Sequence, residues 1–584
     1  MQRSGCGPVV AIAAALGMAG TAGAASFPGG SRQERGGTPR PARQVLDIEN
    51  LRAAAAGRFP NDVPTCDVLV IGGGTGGVAA VEALARQGLS VILTEPTSQL
   101  GGQFTSQAVP VPDENRFIEQ QPGPSTRTYR ALREQVRAHY AARPGIVPAR
   151  AQNVGQCWVS RVSGEPSVWA LAIADRLAPF TRRNLLRRVL LRHQLLDVAR
   201  WPSNGRFRYA DVVDLDTGRI TRIGAQYVLD ATEMGDVLPL AGVPWTVGQE
   251  ARGETGEPSA PEVARPDWIQ SITYGFVLRL QPDPTQHKIV PRPAEYEYFK
   301  SLGEYSLDYK YSDQRGTVAY KVFEKAPQAA GPFWTYRRLV AASSFRGRTG
   351  VAGDLSLINW PGNDFHEENP LGKPLDEQIR ILRRARAYAE GFVHWLQTEC
   401  PRDDGAGIGY PEMQLAEDLP ATNGGFALHP YIRESRRLLA EFTLNENHLI
   451  VSPDNREPKI GEAFNDSVGC ALYAIDIHPA KGEPPFLEPA LPYHLPLGAF
   501  IARSGPANVL PAAKNWGATR LALASARMHP TEWLSGEIAG NLAAFCLRRQ
   551  VPATEVRSRP ELLAAFQSQL REAGIPLRWS EIIR

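Results

Sequence analysis

Short apolar runs on either side of a glycine-rich turn mark the beginning of the predicted globular part of the chain. Residues 66–71 are mostly apolar and β-branched, which is typical of a buried parallel strand. Residues 78–87 are strong helix formers, and Gly88 follows them as a typical helix stop. Residues 89–94 form a second apolar run. A strand, a helix and a strand within about thirty residues predict a βαβ unit.

The pattern of the next hundred residues predicts helices followed by a β-rich excursion. The elements are a helix over 125–142 with Ser125 as its cap, a helix over 167–180, a strand over 188–200, and two strands over 207–215 and 219–229. The last two strands flank Asp216-Thr217-Gly218, which is a hairpin signal.

The second half of the chain differs in composition. Residues 265–450 are rich in aromatic side chains and contain a long helical pattern over 375–400. Residues 508–549 return to a glycine-punctuated pattern, and a polar helix is predicted after them. We therefore expect a middle domain inserted between two parts of the first domain.

The turn between the first strand and the first helix carries candidate chemistry. It comprises Gly72, Gly73, Gly74, Thr75, Gly76 and Gly77. Gly72, Gly74 and Gly77 match G-x-G-x-x-G, in which the first glycine makes the turn, the second admits a pyrophosphate and the third permits close helix packing. The helix N-terminus offers N–H groups and a partial positive charge to phosphates. The turn predicts a dinucleotide site, and the alternative is a structural βαβ turn without a ligand.

A carboxylate follows at the end of the second strand. Glu95 stands eighteen residues after Gly77, where it can accept hydrogen bonds from ribose hydroxyls. The pattern so far does not separate FAD from NAD.

Two later segments carry a resemblance that favours FAD. They are Leu100-Gly101-Gly102-Gln103-Phe104-Thr105 and Asp230-Ala231-Thr232. They resemble FAD-dependent oxidoreductases with the glutathione-reductase type of FAD domain. The resemblance implies that Gly101, Gly102, Gln103 and Thr105 lie by the pyrophosphate and flavin, and that Ala231 and Thr232 lie by the adenosine. Glu233 stands where that fold usually has glycine.

Three segments of the second half of the chain make the resemblance more specific, to one family. They are Asn359-Trp360-Pro361-Gly362-Asn363-Asp364, Tyr431-Ile432-Arg433-Glu434-Ser435-Arg436-Arg437 and Asp476-Ile477-His478. They resemble one broad bacterial family of FAD-dependent oxidoreductases, some of whose members are labelled xanthan-lyase-like. The resemblance covers most of residues 66–549.

The closing segments, Arg527-Met528-His529-Pro530 and the helix with Gly536 and Gly540, resemble the last FAD motif of that family. The resemblance implies that the helix starts beside the isoalloxazine, with Gly536 and Gly540 among the cofactor contacts. A nearby cation stabilises the negative charge of reduced flavin, and Arg527 or His529 is the candidate for it.

Candidate catalytic residues are His529, Arg433 and His478. Arg433, Arg436 and Arg437 form a group suited to carboxylates or phosphates, and internal ion pairs are the favoured alternative. His478, after Asp476, is an acid or base candidate, with a structural role as the alternative. We expect no metal at His366-Glu367-Glu368, because adjacent loop residues rarely all face one ion. We expect Asp113-Glu114 to be a solvated loop.

The N-terminus has the features of a secretory signal. Arg3, the apolar run 9–18 and Ala22-Gly23-Ala24 match the positive, apolar and cleavage regions, and the apolar run is too short to span a bilayer. We expect residues 1–25 to be a signal peptide with cleavage near Ala24 and residues 26–62 to be a poorly ordered leader. The protein is then periplasmic or secreted, although the leader has no Arg-Arg pair for folded export. A buried N-terminal helix is the alternative.

The composition excludes several other classes. The 584 residues carry a formal net charge of only +3, which indicates neither a nucleic-acid partner nor a polybasic membrane patch. Cysteines Cys66, Cys157, Cys400, Cys470 and Cys546 are scattered singly, so a zinc site is not expected, and one or two disulfides stay open. The glycine turn has no Walker A lysine, and no G-x-S-x-G elbow is found.

Together these patterns predict an α/β protein with a discontinuous Rossmann-like FAD-binding domain and a mixed α+β substrate or cap domain. The domains are expected at 63–264 and 451–584 for FAD binding and at 265–450 for the cap. The expected activity is oxidation of a small organic substrate by hydride transfer to flavin N5, with oxygen or another acceptor reoxidising the flavin. The alternatives are a flavin monooxygenase and an exported carbohydrate-binding or lyase-associated protein with structural FAD. The sequence leaves the substrate and the oligomeric state open.

Overall fold

The computed structural model describes residues 63–311, 315–347, 351, 353–450 and 460–583. The predicted signal peptide and leader, residues 1–62, lie outside the described residues. Within the described ranges, no helix combines the length and the apolar character needed to cross a membrane.

The helices are, in chain order, α1 Thr75–Arg86, α2 Arg127–Ala141, α3 Pro166–Arg182, α4 Val237–Leu240, α5 Arg252–Thr255, α6 Tyr296–Ser301, α7 Leu375–Thr398, α8 Arg520–Ala526, α9 His529–Arg549, α10 Ala553–Ser558 and α11 Pro560–Ala573. The strands are β1 Thr65–Ile71, β2 Val91–Glu95, β3 Leu186–Leu191, β4 His193–Arg200, β5 Phe207–Asp214, β6 Ile220–Asp230, β7 Trp245–Thr246, β8 Phe276–Leu280, β9 Asp308–Lys310, β10 Thr317–Ala319, β11 Arg338–Val340, β12 Leu355–Ile358, β13 Met413–Leu415, β14 Arg437–Leu438, β15 Ser467–Ala471, β16 Ile475–Ile477, β17 Phe486–Glu488, β18 Tyr493–Pro496 and β19 Val509–Pro511.

A seven-stranded sheet forms the centre of the first domain. Its order is β3-β2-β1-β6-β5-β4, and β19 joins it beside the last residues of β6. β1 is parallel to β2 and β6, and β19 is parallel to β6, whereas β5 and β4 are antiparallel. Residues Val68 to Ile71 of β1 are almost wholly buried, because helices or other chain segments cover both faces. The predicted βαβ unit is confirmed as β1, α1 and β2.

Segments distant in sequence complete this domain. β19 brings residues 509–511 next to β6, and α9 packs along α1. A Cβ on Gly536 would overlap the backbone of Gly76, and one on Gly540 would lie 2.8 Å from Ala80 O. The two glycines of α9 therefore let the two helix backbones approach closely.

The second domain is built on a separate antiparallel sheet. Its order is β11-β12-β8-β13, and the long helix α7 packs against it, with the Phe276 and Phe392 rings 6.3 Å apart. Its core is rich in aromatic side chains, including Trp360 and Tyr388. The aromatic residues of the middle section are thus mainly core residues. This sheet falls within the predicted cap, residues 265–450.

Several local expectations were wrong. Thr126, not Ser125, caps α2, because its Oγ1 accepts a hydrogen bond from Tyr129 N at 3.2 Å. The strand predicted over 188–200 divides at Arg192, whose φ is +59°, into β3 and β4. Asp113 and Glu114 are not solvated: Arg337 lies 2.8 Å from Asp113, and Arg133 lies 2.8 Å from Glu114.

All five cysteines of the described part of the chain are free thiols and buried. The disulfides that the sequence left open are therefore not formed in this structure.

Glu537 of α9 gives a pH-dependent prediction. Burial raises the pKa of Glu537 to about 7, although Thr128 Oγ1 donates a hydrogen bond to its Oε1 at 2.6 Å. Because the folded pKa is raised, the protonated form stabilises the fold at low pH, and this stabilisation is lost as the pH rises through about 7. Glu537→Gln stays neutral, so the stability of this variant relative to wild type should rise by about 2 kcal/mol between pH 5 and pH 8. Thermal unfolding at both pH values measures this difference.

The exposed Glu417→Gln variant is the control, and its stability relative to wild type should not change between the two pH values. If the relative stability of Glu537→Gln is also the same at both pH values, the raised pKa of Glu537 is wrong.

Candidate active site

The glycine turn is a backbone cradle formed where three strands end. Gly72 has φ +98°, a conformation that favours glycine, and a Cβ on it would overlap Ala231 O at the end of β6. A Cβ on Gly76 would overlap Ala512 O just after β19, and one on Gly77 would overlap Gly72 O. These positions require glycine because backbone from β6 and β19 lies directly against the turn.

Glu95 closes one side of this cradle. Its Oε2 accepts a hydrogen bond from Gly73 N at 2.8 Å, and its Oε1 accepts one from Thr97 N at 2.9 Å. Burial raises the pKa of Glu95 to about 7, against the opposing effect of these hydrogen bonds. Each carboxylate oxygen keeps a further lone pair, so Glu95 can still accept a hydroxyl hydrogen bond.

The second glycine pair packs on the first turn, as a joint site requires. Gly101 N donates to Gly73 O at 2.8 Å, and Thr75 Oγ1 donates to Gly101 O at 3.1 Å. A Cβ on Gly102 would lie 2.9 Å from Thr75 N. The segment 100–105 is therefore brought to the N-terminus of α1, although residues 78–99 lie between it and the turn.

The other residues assigned to the cofactor from sequence lie around these turns. Thr105 Oγ1 donates to Leu100 O at 2.6 Å, and Thr232 Oγ1 donates to Asp230 Oδ1 at 2.7 Å. Gln103 Nε2 donates to Arg527 O at 3.0 Å, whereas its Oε1 is buried and has no partner within the described residues. An orphaned buried acceptor between the glycine turns and Arg527 fits a site that receives a hydrogen-bonding ligand.

A buried charge group also lies at the cradle. Lys514, which follows β19, pairs with Glu233 and lies 3.7 Å from Glu532 of α9. Burial and Glu233 raise the pKa of Glu532, while Lys514 opposes the shift. The glutamate at position 233 is thus accommodated by a cation that the sequence did not single out.

The residues of the closing motif lie in two different environments. Gly536 and Gly540 lie inside α9, which begins at His529, and both contact α1. Helix packing accounts for these glycines, and their role as cofactor contacts stays a prediction. Arg527 lies two residues before the start of α9 and is buried.

His529 is held by backbone on both sides. Its Nδ1 accepts from Asp113 N at 3.2 Å, and its Nε2 donates to Val109 O at 3.0 Å. Burial lowers the pKa of His529 to about 4, so the ring is neutral near pH 7. Of the two candidate cations at the flavin, only Arg527 carries a charge there, and the catalytic assignment of His529 stays a prediction.

A polar cluster around His478 lies at the junction of the two domains. His478 Nδ1 lies 2.5 Å from Asp364 Oδ2, and His478 Nε2 lies 3.4 Å from Asp476 Oδ2. Arg433 Nη2 lies 3.0 Å from Asp364 Oδ1, and Arg527 Nη2 donates to Asp476 O at 2.9 Å. The structure therefore brings together two predicted catalytic residues, Arg433 and His478, but not His529.

Both carboxylates of the cluster are ionised near neutral pH. Burial alone would raise the pKa of Asp364, but Arg433 and His478 lower it below its ordinary value. Burial acts in the same way on Asp476, and His478 and Arg527 reverse it to give a pKa well below the ordinary range. His478 thus lies between two negative charges, an arrangement suited to proton transfer.

A cavity of about 440 Å³ opens beside this cluster. Asp364, Asp476 and His478 line it, together with Tyr309 and Phe486. The volume is within the range of small-molecule sites. Arg527 connects the two regions, because its backbone contacts Gln103 and its side chain contacts Asp476.

The other arginines of the 433–437 group form internal ion pairs, which was the favoured alternative. Arg436 lies 2.8 Å from Asp236 and Arg437 lies 2.7 Å from Glu250. Outside the cluster, His366 Nε2 lies 3.5 Å from Glu304, and no group of three metal-ligating side chains is found within the described residues.

The sequence model of the FAD-dependent oxidoreductase family matches residues 67–570. The chain belongs to this family. The match spans both predicted parts of the FAD domain and the cap between them. No curated protein matches the chain by sequence.

Solved structures similar to this FAD-dependent oxidoreductase are distant. A geranylgeranyl bacteriochlorophyll reductase-like protein from Thermoplasma acidophilum is 12% identical, with 88% of this chain and 85% of that chain covered and a TM-score of 0.32. The FAD-dependent halogenase CndH, a myxobacterial protein, is 15% identical, with 39% and 45% covered and a TM-score of 0.20. The flavin-dependent monooxygenase PieE is 16% identical, with 38% and 36% covered and a TM-score of 0.22. The chain thus spans less than half the length of the last two proteins.

FAD is the cofactor of this oxidoreductase, and the residues present fit it. At Gly72, Gly76, Gly77 and Gly102 of the glycine cradle a side chain would collide with backbone, the N-terminus of α1 suits a pyrophosphate, and Glu95 suits a ribose. Lys514 adds a buried cation to this group.

Sequence reasoning missed part of the polar cluster. Asp364 appeared only inside a family-like segment, Asp476 was named only beside His478, and Thr273 was not singled out; at the cradle, Lys514 was not singled out either. Thr273 Oγ1 donates to Asp364, and Arg433 Nη1 donates to Thr273 Oγ1 at 2.7 Å. The signal available was Asp-x-His at 476–478, because residues two apart in an extended segment project to the same side; Asp476 lies in β16, and His478 directly follows this strand.

Proposed function

We propose that this FAD-dependent oxidoreductase oxidises a small organic substrate held in the cavity beside His478. The main support is the position of His478, which lies between the ionised Asp364 and Asp476 on the wall of this cavity. Arg527 contacts both Asp476 in this wall and Gln103 at the glycine cradle. When bound, FAD supplies the two-electron acceptor, taking up a hydride at N5 before oxygen or another acceptor reoxidises it.

The residues of the chain provide the proton path. When Nδ1 of His478 carries the proton, it donates to Asp364 at 2.5 Å, and Nε2 is left to accept the proton of the substrate. Asp364 orients the ring and stabilises the imidazolium that forms, a role that its own contacts with Arg433 and Thr273 support. Each oxidation thus takes a hydride from a carbon atom of the substrate and transfers a proton of the substrate to Nε2 of His478.

Anaerobic titration tests this proposal. The purified FAD-loaded protein should be yellow, and its visible flavin absorbance should bleach when a substrate from a panel of alcohols, amines and hydroxy acids is added without oxygen. Dithionite reduction is the positive control for a reducible flavin. A colourless protein that cannot be reconstituted with FAD would overturn the proposal. Bleaching by dithionite but by no compound of the panel would favour a structural flavin, and peroxide release on turnover would identify oxygen as the acceptor.

A further inference from the structure

The cations behind the cavity wall are already neutralised. Arg433 pairs with Asp364 at 3.0 Å, and Arg527 lies 3.6 Å from Asp476. Arg520 pairs with both Glu434 and Glu483, at 2.6 Å and 2.5 Å. A substrate carboxylate or phosphate entering this cavity would have to compete with these protein carboxylates for the same guanidinium groups.

The other charges that line the cavity are also mixed in sign, because Glu304 is acidic and Lys310 is basic. Asp308 and Lys310 both line the cavity and stand two residues apart on β9, hence on one face of that strand. A charged ligand of either sign would therefore meet like charges as well as opposite ones. Its contacts with the cavity would not compensate for the free energy of hydration that it loses on binding.

The wall is rich in hydrogen-bond acceptors. Carboxylates of Asp364, Asp476 and Glu304 line the cavity, together with the Ser306 hydroxyl, which can donate or accept. Tyr309 and Phe486 add aromatic surface to the same cavity. Acceptors facing an aromatic wall suit a ligand that carries several hydroxyl donors on a C–H-rich framework.

We infer that the cavity binds an uncharged polyhydroxylated molecule, a sugar or polyol, in preference to molecules of the same size that carry a carboxylate, phosphate or ammonium group. This inference rests on the proposed function in taking the cavity beside His478 as the substrate site.

Ligands of one size and different charge test the inference directly. Saturation-transfer difference NMR on the FAD-loaded protein would compare neutral sugars (glucose, mannose, galactose and mannitol) with glucuronate and glucosamine. At least one neutral compound should receive saturation, with glucuronate at least about tenfold weaker. Equal or stronger signals from glucuronate or glucosamine, or no signal from any neutral compound, would overturn the inference.

A charge change at the cavity locates the binding. Glu304→Arg replaces an acidic group of the lining with a cation, so glucuronate should gain binding relative to the neutral sugars. The control is Glu297→Arg on α6, an exposed position that does not line this cavity. A gain in both variants, or in neither, would place the binding elsewhere and refute the assignment to this cavity.

The two proposals fail in different ways. A neutral sugar that binds here but does not bleach the flavin would refute substrate oxidation at this site and leave the binding inference standing. A charged compound that both binds and bleaches would confirm the oxidation and overturn the inferred ligand class.

Discussion

Replacing His478 with glutamine is expected to lower substrate turnover by about 10²–10⁴-fold, because the variant lacks the proton acceptor beside the cavity. FAD content should stay unchanged, since His478 contacts Asp364 and Asp476 rather than the glycine cradle. Stopped-flow bleaching of the flavin by substrate measures the loss, and dithionite reduction of the same sample shows that the flavin is present and reducible.

Two further variants separate a proton-transfer role from a general loss of structure. Asp364→Asn keeps the shape of the site but removes the charge that stabilises the imidazolium, so a smaller loss of turnover is expected. His139→Gln, at an exposed position of α2, should turn over like wild type. Wild-type turnover in His478→Gln would remove this residue from the proton path.

Gly536→Ala is expected to destabilise the protein by about 3 kcal/mol, although alanine is the better helix former. The added Cβ would overlap backbone atoms of Gly76, which no side-chain rotation can relieve. Helices α9 and α1 must then separate, and the N-terminus of α1 moves with them. Thermal unfolding should therefore show a lower midpoint, and the purified variant should retain less FAD per protein.

Gly253→Ala is the matched control for this substitution. Gly253 also lies in a helix, but a Cβ built on it meets nothing within 4 Å. Its midpoint should equal or slightly exceed that of wild type, because alanine loses less backbone freedom than glycine on folding. If Gly536→Ala unfolds at the wild-type midpoint, the close approach of α9 and α1 is not required for stability.

The first domain was largely predictable because its signals are local. The apolar runs, the spacing of Gly72, Gly74 and Gly77, and the stop at Gly88 each act within a few residues, and β1, α1 and β2 follow from them. The errors arose where tertiary contacts decide. Arg337, which is 224 positions from Asp113, and Arg133, which is 19 positions from Glu114, pair with these two acidic residues, so the pair is buried rather than solvated.

The candidate site shows the same division. The sequence indicated Arg433 and His478 separately. It did not indicate that Asp364 contacts both, because the three residues are spread over more than a hundred positions of the chain. Likewise, the motif at Gly536 did not indicate that this glycine packs against α1, and its assignment to the cofactor stays a prediction. Residue type and spacing define the chemistry available, and long-range packing decides which groups meet.

The sequence by itself determined that this chain has an α/β fold with a dinucleotide turn and belongs among FAD-dependent oxidoreductases. These properties depend on short-range patterns, each contained in one short segment of the chain. Only the tertiary structure decided that His529 is buried and neutral, that Lys514 accompanies Glu233 at the cradle, and that His478 lies between two carboxylates on a cavity wall. Charge state and proton transfer depend on burial and on neighbours from other segments, which exist only once the chain has folded.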